Sequence, residues 1–143
     1  MFDGETLISF VDGMVTDQPD LTDDLYENAA LHSETGAWQM IFGVVTRPEY
    51  RKHGLAAQLL NRAIADARQQ GRKGLVLTCK DKLVHYYAKF GFVSEGVSQS
   101  THGNVAWNQM RPPAGSGALF IRCKLAGGLF ILWATPHNSR LAA

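Results

Sequence analysis

One junction constrains this chain more than any other. An apolar run at residues 40–45 meets a turn carrying Pro48, and Arg51-Lys-His-Gly-Leu-Ala56 then opens a strongly amphipathic helical stretch. Leu55, Leu59, Ala63 and Ala67 recur at helical spacing, with Leu60 and Ile64 beside them. A strand therefore ends, the chain turns, and a helix starts at Gly54. The first N–H groups of a helix have no partner inside it, and they lie at the positive end of its dipole. Gly54 lets the backbone approach a ligand closely, and Ala56 adds little bulk. Such a helix start suits phosphate or pyrophosphate. The G-x-x-x-x-G-K-[ST] and G-x-G-x-x-G phosphate motifs are both absent. On the glycine alone, an ordinary strand–turn–helix junction that binds nothing stays open.

The pattern around this junction predicts an α/β fold. Residues 6–15 are apolar and β-branched, preceded by Asp3-Gly4 and interrupted by Asp12-Gly13, which reads as a strand with a bulge. Residues 17–33 form an excursion broken by Pro19, with room for a short helix in 21–31 capped by Thr22 or Asp23. Residues 37–46 are continuously apolar and read as a strand buried on both faces. The main helix covers 54–70 and is closed by Gly71. A short buried strand follows at 75–79. A second helix runs from an Asp81 cap through Phe90 and ends at Gly91, and two strands at 92–97 and 104–110 flank a turn at 100–104.

A chain of 143 residues is one domain's worth. A net charge of +1 argues against nucleic-acid or membrane binding driven by bulk charge. No signal-peptide pattern or bilayer-length apolar run is present. The cysteines, Cys79 and Cys123, have no metal spacing and fit a reduced cytoplasm better than a disulfide framework. Charge is unevenly distributed. Residues 1–46 contain no Lys or Arg but hold Asp3, Glu5, Asp12, Asp17, Asp20, Asp23, Asp24, Glu27 and Glu34. One end of the molecule thus suits a cation and the other, basic from Arg47 onward, an anion. A solvated acidic loop is the plainer alternative.

Arg51-x-x-Gly-x-Ala56 after a strand and a Pro-containing turn resembles the acetyl-coenzyme A signature of the GNAT N-acetyltransferase superfamily, Q/R-x-x-G-x-G/A. Downstream, Tyr87-Ala-Lys-Phe-Gly-Phe92 is similar to that family's Y-x-K-x-G-F segment. The L-T-C-K-D stretch and the long acidic loop resemble the arylalkylamine (serotonin-type) branch and its bacterial relatives. The resemblance spans residues 6–110. It implies a GNAT-like mixed sheet flanked by helices, occupying residues 1–111. Measured against the family, the chain is expected to be N-terminally truncated, starting near the hairpin before the third strand and lacking the usual strand-helix-helix-strand segment. Residues 112–143 read as a linker and an unassigned apolar tail, two apolar runs that could form a hairpin over a sheet edge.

The resemblance also implies a cofactor, a reaction and site residues. Acetyl-coenzyme A would serve as co-substrate, its thioester held by backbone groups of Val44, Val45 and Thr46. Its pyrophosphate would rest on the N–H groups of Arg51, Lys52, His53, Gly54, Leu55, Ala56 and Ala57, with the Arg51 and Lys52 side chains adding charge. Tyr87 matches the family tyrosine near the coenzyme sulfur. A phenol can protonate a leaving thiolate, which makes Tyr87 the expected general acid and Tyr86 its reserve. The branch places histidines where this chain has Met40 and Phe42. The base is therefore expected to be an acidic residue such as Glu34 acting through water, or His32. His53 and His85 read as surface or coenzyme-side residues. Cys79 reads as a small buried hydrophobe rather than a nucleophile. No spacing supports a metal.

The expected function is transfer of acetyl from acetyl-coenzyme A to a primary amine, a cationic arylalkylamine or polyamine. The alternative is a catalytically silent domain that binds coenzyme A or acts as an interaction module. No nucleic-acid or membrane partner is expected, the expected location is cytoplasmic, and nothing in the sequence sets an oligomeric state.

Overall fold

The computed structural model describes residues 1–100 and 105–113, together with the backbone of 124–125 and 128–129. A small hairpin comes first, β1 (Phe2–Asp3) and β2 (Thr6–Leu7), turning at Gly4 with φ of 57°. Then follow β3 (Ser9–Thr16), α1 (Asp24–Glu27), β4 (Trp38–Thr46), α2 (Leu55–Gln69) and β5 (Gly74–Cys79). After these come α3 (Val84–Ala88), β6 (Val93–Val97) and β7 (Asn108–Arg111). A short antiparallel pair, β8 (Lys124–Leu125) with β9 (Gly128–Leu129), lies in the tail. The rest of the expected tail hairpin, and most of the turn at 100–104, lie outside the described residues. Among the described residues no helix is long and apolar enough to cross a membrane.

The main sheet has the order β3-β4-β5-β7-β6. It is mixed: β4 and β5 run parallel, and the other neighbours are antiparallel. Helix α2 makes the crossover between the two parallel strands, as such a connection requires. Two apolar clusters sandwich the sheet. One joins Leu60, Ile64 and Ala67 of α2 to Ile41, Leu75, Leu77, Cys79, Tyr87, Phe90, Phe92 and Met110. The other packs Leu21 and Leu25 of the excursion on Met14, Met40 and Val76. Side chains alternate across a strand. Met40 and Ile41 accordingly enter opposite clusters, and both are buried.

The sheet opens where it matters. Parallel pairing of β4 with β5 runs from Trp38↔Gly74 to Ile41↔Leu77 and stops there. Beyond that point β5 stays with β7, up to Cys79↔Asn108, while β4 stays with β3, up to Ser9↔Thr46. Residues 42–46 therefore have no strand on the β5 side, and a wedge opens between the two strands. The register change in β3–β4 sits at the same level. Asp12 faces Gly43 and Gly13 faces Ile41, so Phe42 is the extra residue. A bulge bends its strand and raises the local twist, which turns β4 away from β5.

Several sequence expectations need correcting. The bulge is at Asp12-Gly13 as expected, but the inserted residue belongs to β4. Strand β4 is buried on both faces only up to the bulge, and Val45 is 45% exposed. The face of α2 that packs is centred on Leu60, Ile64 and Ala67 rather than on Leu55 and Leu59. The helix expected in 21–31 shrinks to one turn of α-helix and one of 3-10 helix, because Asn28 is extended and its side chain accepts from the Ala30 N–H at 3.0 Å. Neither Thr22 nor Asp23 caps it through its side chain. Asp81 is no cap either: residues 81–83 form a 3-10 turn that leads into α3.

Candidate active site

At the end of β4 the chain makes a 3-10 turn, Pro48–Tyr50, whose last carbonyls are used locally. The Arg51 N–H donates to the Pro48 carbonyl at 3.2 Å. His53 Nδ1 lies 3.2 Å from the Tyr50 carbonyl. The backbone then turns left-handed at Lys52, φ 65°, and again at Gly54, φ 77°. A side chain rarely tolerates that conformation, and an outlier of this kind points to a constrained site. Helix α2 begins directly afterwards. Its first bond runs from the Gln58 N–H to the Gly54 carbonyl at 3.1 Å. The N–H groups of Leu55, Ala56 and Ala57 precede that bond and have no helical acceptor. Space beside Gly54 is open, since a Cβ built there meets nothing within 4 Å.

The anion cradle expected over residues 51–57 is thus narrower than the sequence suggests. Arg51 spends its backbone N–H on the turn, and its Nε donates to the Thr46 carbonyl at 3.2 Å. The side chains of Arg51, Lys52 and His53 are exposed. From β3, the buried Ser9 hydroxyl donates to the Val45 carbonyl of β4 at 2.8 Å and pairs with Thr46 Oγ1 at 2.8 Å. Of the backbone groups expected to meet a thioester, the Val45 and Thr46 carbonyls are therefore already engaged. Val44 and Ala57 pack against the same apolar cluster that contains Tyr87 and Cys79. The structure so gathers β4, the α2 start, the end of β5 and α3 around one side of the wedge.

Tyr87 is buried, and burial pushes its hydroxyl up to about 12, with neighbouring Cys79 and Tyr86 adding to the shift. Its ring meets Tyr86 edge-on at 5.3 Å and Phe92 at 6.3 Å. Such a phenol stays protonated across the physiological range and can give up a proton there but not take one. Tyr86 is half-buried and packs on Phe90 at 5.3 Å. Cys79 is also buried. Its thiol donates to Met110 Sδ at 3.3 Å, and burial, with the Asp81 charge, pushes it up. A thiol in that state is a poor nucleophile.

The acidic segment is not one patch. Asp3 accepts from the Tyr50 hydroxyl at 2.9 Å and Asp17 from the Ala37 N–H at 3.0 Å. Asp20 accepts from Gln109 at 2.9 Å and Arg111 at 2.8 Å, which hold its carboxyl below the usual range. Asp23 accepts from the Ser100 hydroxyl. His32, one expected base, is tied down: Nδ1 accepts from the Val15 N–H at 3.3 Å and Nε2 faces Glu34 at 3.1 Å. Val15 pairs with Gln39, below the bulge. His32 and Glu34 thus sit toward the closed end of the wedge, away from the thioester position expected at 44–46.

Two features at the bulge went unread in the sequence. Tyr26 of α1 packs on Phe42 with ring centroids 4.5 Å apart; burial pushes its hydroxyl up, and the nearby Thr78 side chain acts against that rise. It therefore reaches from β4 to β5 where their pairing has ended. The Asp12 carboxylate lies over Gly43, where a Cβ would run into its oxygen. An isolated glycine in a strand signals a bulge or a close approach, and Phe42-Gly43 was that signal.

Mixed sheet, wedge and helix start together define a class of protein. Residues 2–92 match the model of the Acetyltransferase (GNAT) family, and the chain belongs to that family. It is 28% identical over 111 residues to serotonin N-acetyltransferase of Mesocricetus auratus, covering 77% of this chain and 52% of that protein. The chain thus spans about half the length of that relative. The fold is similar to the loading GNATL domain of CurA from Lyngbya majuscula, with TM-score 0.59 and 14% identity over 73% of this chain and 70% of that one. It is also similar to a GNAT-family acetyltransferase from Streptococcus pneumoniae, with TM-score 0.55 and 24% identity over 77% and 62%.

Proposed function

We propose that the protein transfers the acetyl group of acetyl-coenzyme A to a primary amine of cationic arylalkylamine or polyamine type. One observation carries the reading: the wedge between β4 and β5 lies next to the unpaired N–H groups that open α2. Pantetheine is a thin, extended chain that fits between two diverging strands, and pyrophosphate suits a helix start. Family membership and the likeness to serotonin N-acetyltransferase support the choice of donor and of amine. A reduced cytoplasm suits the free thiol of Cys79.

In this reading the thioester carbonyl lies against residues 44–46. The amine nitrogen attacks the carbonyl carbon and forms the C–N bond. The ammonium first gives one proton to water, which frees the lone pair for this attack; the C–S bond then breaks, the nitrogen gives its second proton to water, and the Tyr87 hydroxyl protonates the departing sulfur and is reprotonated from solvent. A buried phenol is a weak acid, and a thiolate is a fair leaving group. Protonation by Tyr87 then assists the step without being indispensable.

Calorimetry with acetyl-coenzyme A, followed by turnover with a panel of primary amines, tests the proposal. Binding and amine-dependent release of free thiol are expected. Binding without turnover of any amine would leave a coenzyme-binding module. No binding would overturn the reading altogether.

A further inference from the structure

Among the carboxylates of the acidic segment, Asp12 differs in what surrounds it. Asp3, Asp17, Asp20 and Asp23 each accept a hydrogen bond from a neighbour. The Asp12 carboxylate makes no hydrogen bond or ion pair among the described residues, a trait it shares with Glu5, Asp24 and Glu27. It nevertheless occupies a defined place. It faces Gly43 across the register change, and the missing side chain at 43 is what leaves room for its carboxylate. Alternation puts Asp12 on the same face as Met14 two residues on, which is the face that carries Phe42 and the excursion. Tyr26 packs on Phe42 and lies near Thr78, and the Asp12 charge is close enough to raise the Tyr26 hydroxyl. One side of the wedge mouth therefore holds a carboxylate without a protein partner beside two packed rings. The strand positions expected to hold the thioester begin one residue further, at Val44, and a strand advances about 3.3 Å per residue.

We propose that Asp12 docks the ammonium group of the acceptor at the β4 bulge, with Tyr26 and Phe42 forming the wall beside it. The inference rests on the acetyltransferase reading and assigns its cationic acceptor a specific contact. A carboxylate gives an ammonium a charge-assisted hydrogen bond. Aromatic faces beside a cation add attraction and exclude water. Gly43 acts as a positioning residue, because any side chain there displaces the carboxylate while leaving its charge in the protein.

The test is steady-state kinetics with acetyl-coenzyme A and two probe amines, 2-phenylethylamine and putrescine, alongside calorimetry of acetyl-coenzyme A alone. Asp12→Asn is expected to raise the amine KM about tenfold, the scale of a hydrogen bond to a charged group at a solvent-reached site. Its kcat should stay within about threefold, and its affinity for acetyl-coenzyme A should not change. Gly43→Ala is expected to raise the amine KM in the same direction with Asp12 still present. Unchanged KM for both amines in folded Asp12→Asn would overturn the proposal. A large fall in kcat at constant KM would also overturn it, since the carboxylate would then be taking the proton rather than holding the substrate. Wild-type protein that binds acetyl-coenzyme A but acetylates no amine would remove the parent reading, and this one with it. That result is distinguishable because it appears before any variant is made.

Discussion

The two faces of β4 are built by different means. On the α2 side, the wedge is framed by elements adjacent in sequence: strand, turn, helix start, next strand. Ile41, Leu60, Ile64, Leu75 and Leu77 pack into one continuous core there. On the excursion side, the wall is assembled from distant pieces. Tyr26 meets Phe42, Asp12 meets Gly43, Asp23 meets Ser100, and Asp20 meets Gln109 and Arg111. Arg111 also lies over the Trp38 ring at 4.7 Å and binds the Pro19 carbonyl at 2.7 Å. The proposed coenzyme face is encoded by a local motif and the proposed acceptor face by long-range pairs, so substitutions on one face should leave the function of the other intact.

The largest expected effect breaks the coenzyme face alone. Gly54→Val puts a β-branched residue at φ 77°, where only glycine is comfortable. It also fills the open space beside the helix start. Loss of acetyl-coenzyme A binding by more than about hundredfold is expected by calorimetry, which is roughly 2.7 kcal/mol. The apolar clusters contain no part of residue 54, so the protein should still fold, with its melting temperature lowered by the strain of a left-handed valine, about 1–3 kcal/mol. Unchanged affinity in folded protein would show that the helix start does not cradle the coenzyme.

A pair of core truncations sharpens the contrast. Leu60 and Leu25 are both almost fully buried, one under each face. Each truncation to Ala should cost about 2–5 kcal/mol of local packing. Leu60→Ala is expected to lower the melting temperature and coenzyme affinity together, because α2 carries both. Leu25→Ala is expected to loosen the excursion and raise the amine KM, while acetyl-coenzyme A still binds. Equal loss of coenzyme binding in the two variants would contradict the division into faces.

That division also explains what the sequence could reveal. The helix start was legible because glycine, proline and the apolar period all lie within about two turns of one another, and local chemistry decided the outcome. Motif alone singled out Tyr87; helical period did not separate it from Tyr86 or Phe90, and burial sets it apart from Tyr86 but not from Phe90. The opening of the sheet was not legible. It depends on where β4 stops pairing with β5, which no local pattern records. His32 looked available as a base because it lies in the acidic excursion. Its actual partners, the Val15 N–H and Glu34, take up both ring nitrogens. The nine residues of β4 read as uniformly buried, since the bulge at Phe42 reverses the alternation only once a partner strand is present. Acid-rich composition suggested a patch, whereas tertiary hydrogen bonds tie down four of those nine carboxylates, Asp3, Asp17, Asp20 and Asp23.

Tyr87 sits on the coenzyme face and should affect turnover without affecting binding. General acid catalysis contributes about 10²–10⁴-fold, and Tyr87→Phe is expected near the low end, about hundredfold in kcat, because water substitutes in part. Tyr86→Phe should be nearly silent. The pH dependence follows from the raised hydroxyl. The active form is protonated, and a shift from 10.0 to about 12 moves its loss upward. The wild-type rate should therefore show no fall from this group below pH 10 and a decline only as pH approaches 12. Stability has the same sign: the folded form keeps its proton longer than the unfolded chain, so this contribution is constant below pH 10 and is lost between 10 and about 12. A turnover pKa near 8 that vanishes in Tyr87→Phe would refute the assignment of a buried acid.

The smallest expected effect tests the acceptor face through solvent. Asp12 is exposed, so an ammonium docked on it is partly screened by mobile ions. The screening length is about 10 Å at 0.1 M ionic strength and about 3 Å at 1 M. Raising salt across that range should increase the amine KM by roughly threefold, since an exposed ion pair is worth only about 0.2–1 kcal/mol. Asp12→Asn should flatten that dependence, because the charge responsible is gone. Asp24 and Glu27 lie on the same excursion and are also exposed. Replacing them with Asn and Gln should leave the salt slope nearly unchanged, because neither carboxylate makes a hydrogen bond or ion pair at the bulge among the described residues, although Tyr26 between them packs on Phe42. If the slope instead falls by equal amounts for all three substitutions, the acceptor is guided by the diffuse field of the acidic segment. The specific carboxylate at the bulge then has no special part, and the contrast between a built coenzyme face and a built acceptor face loses its second half.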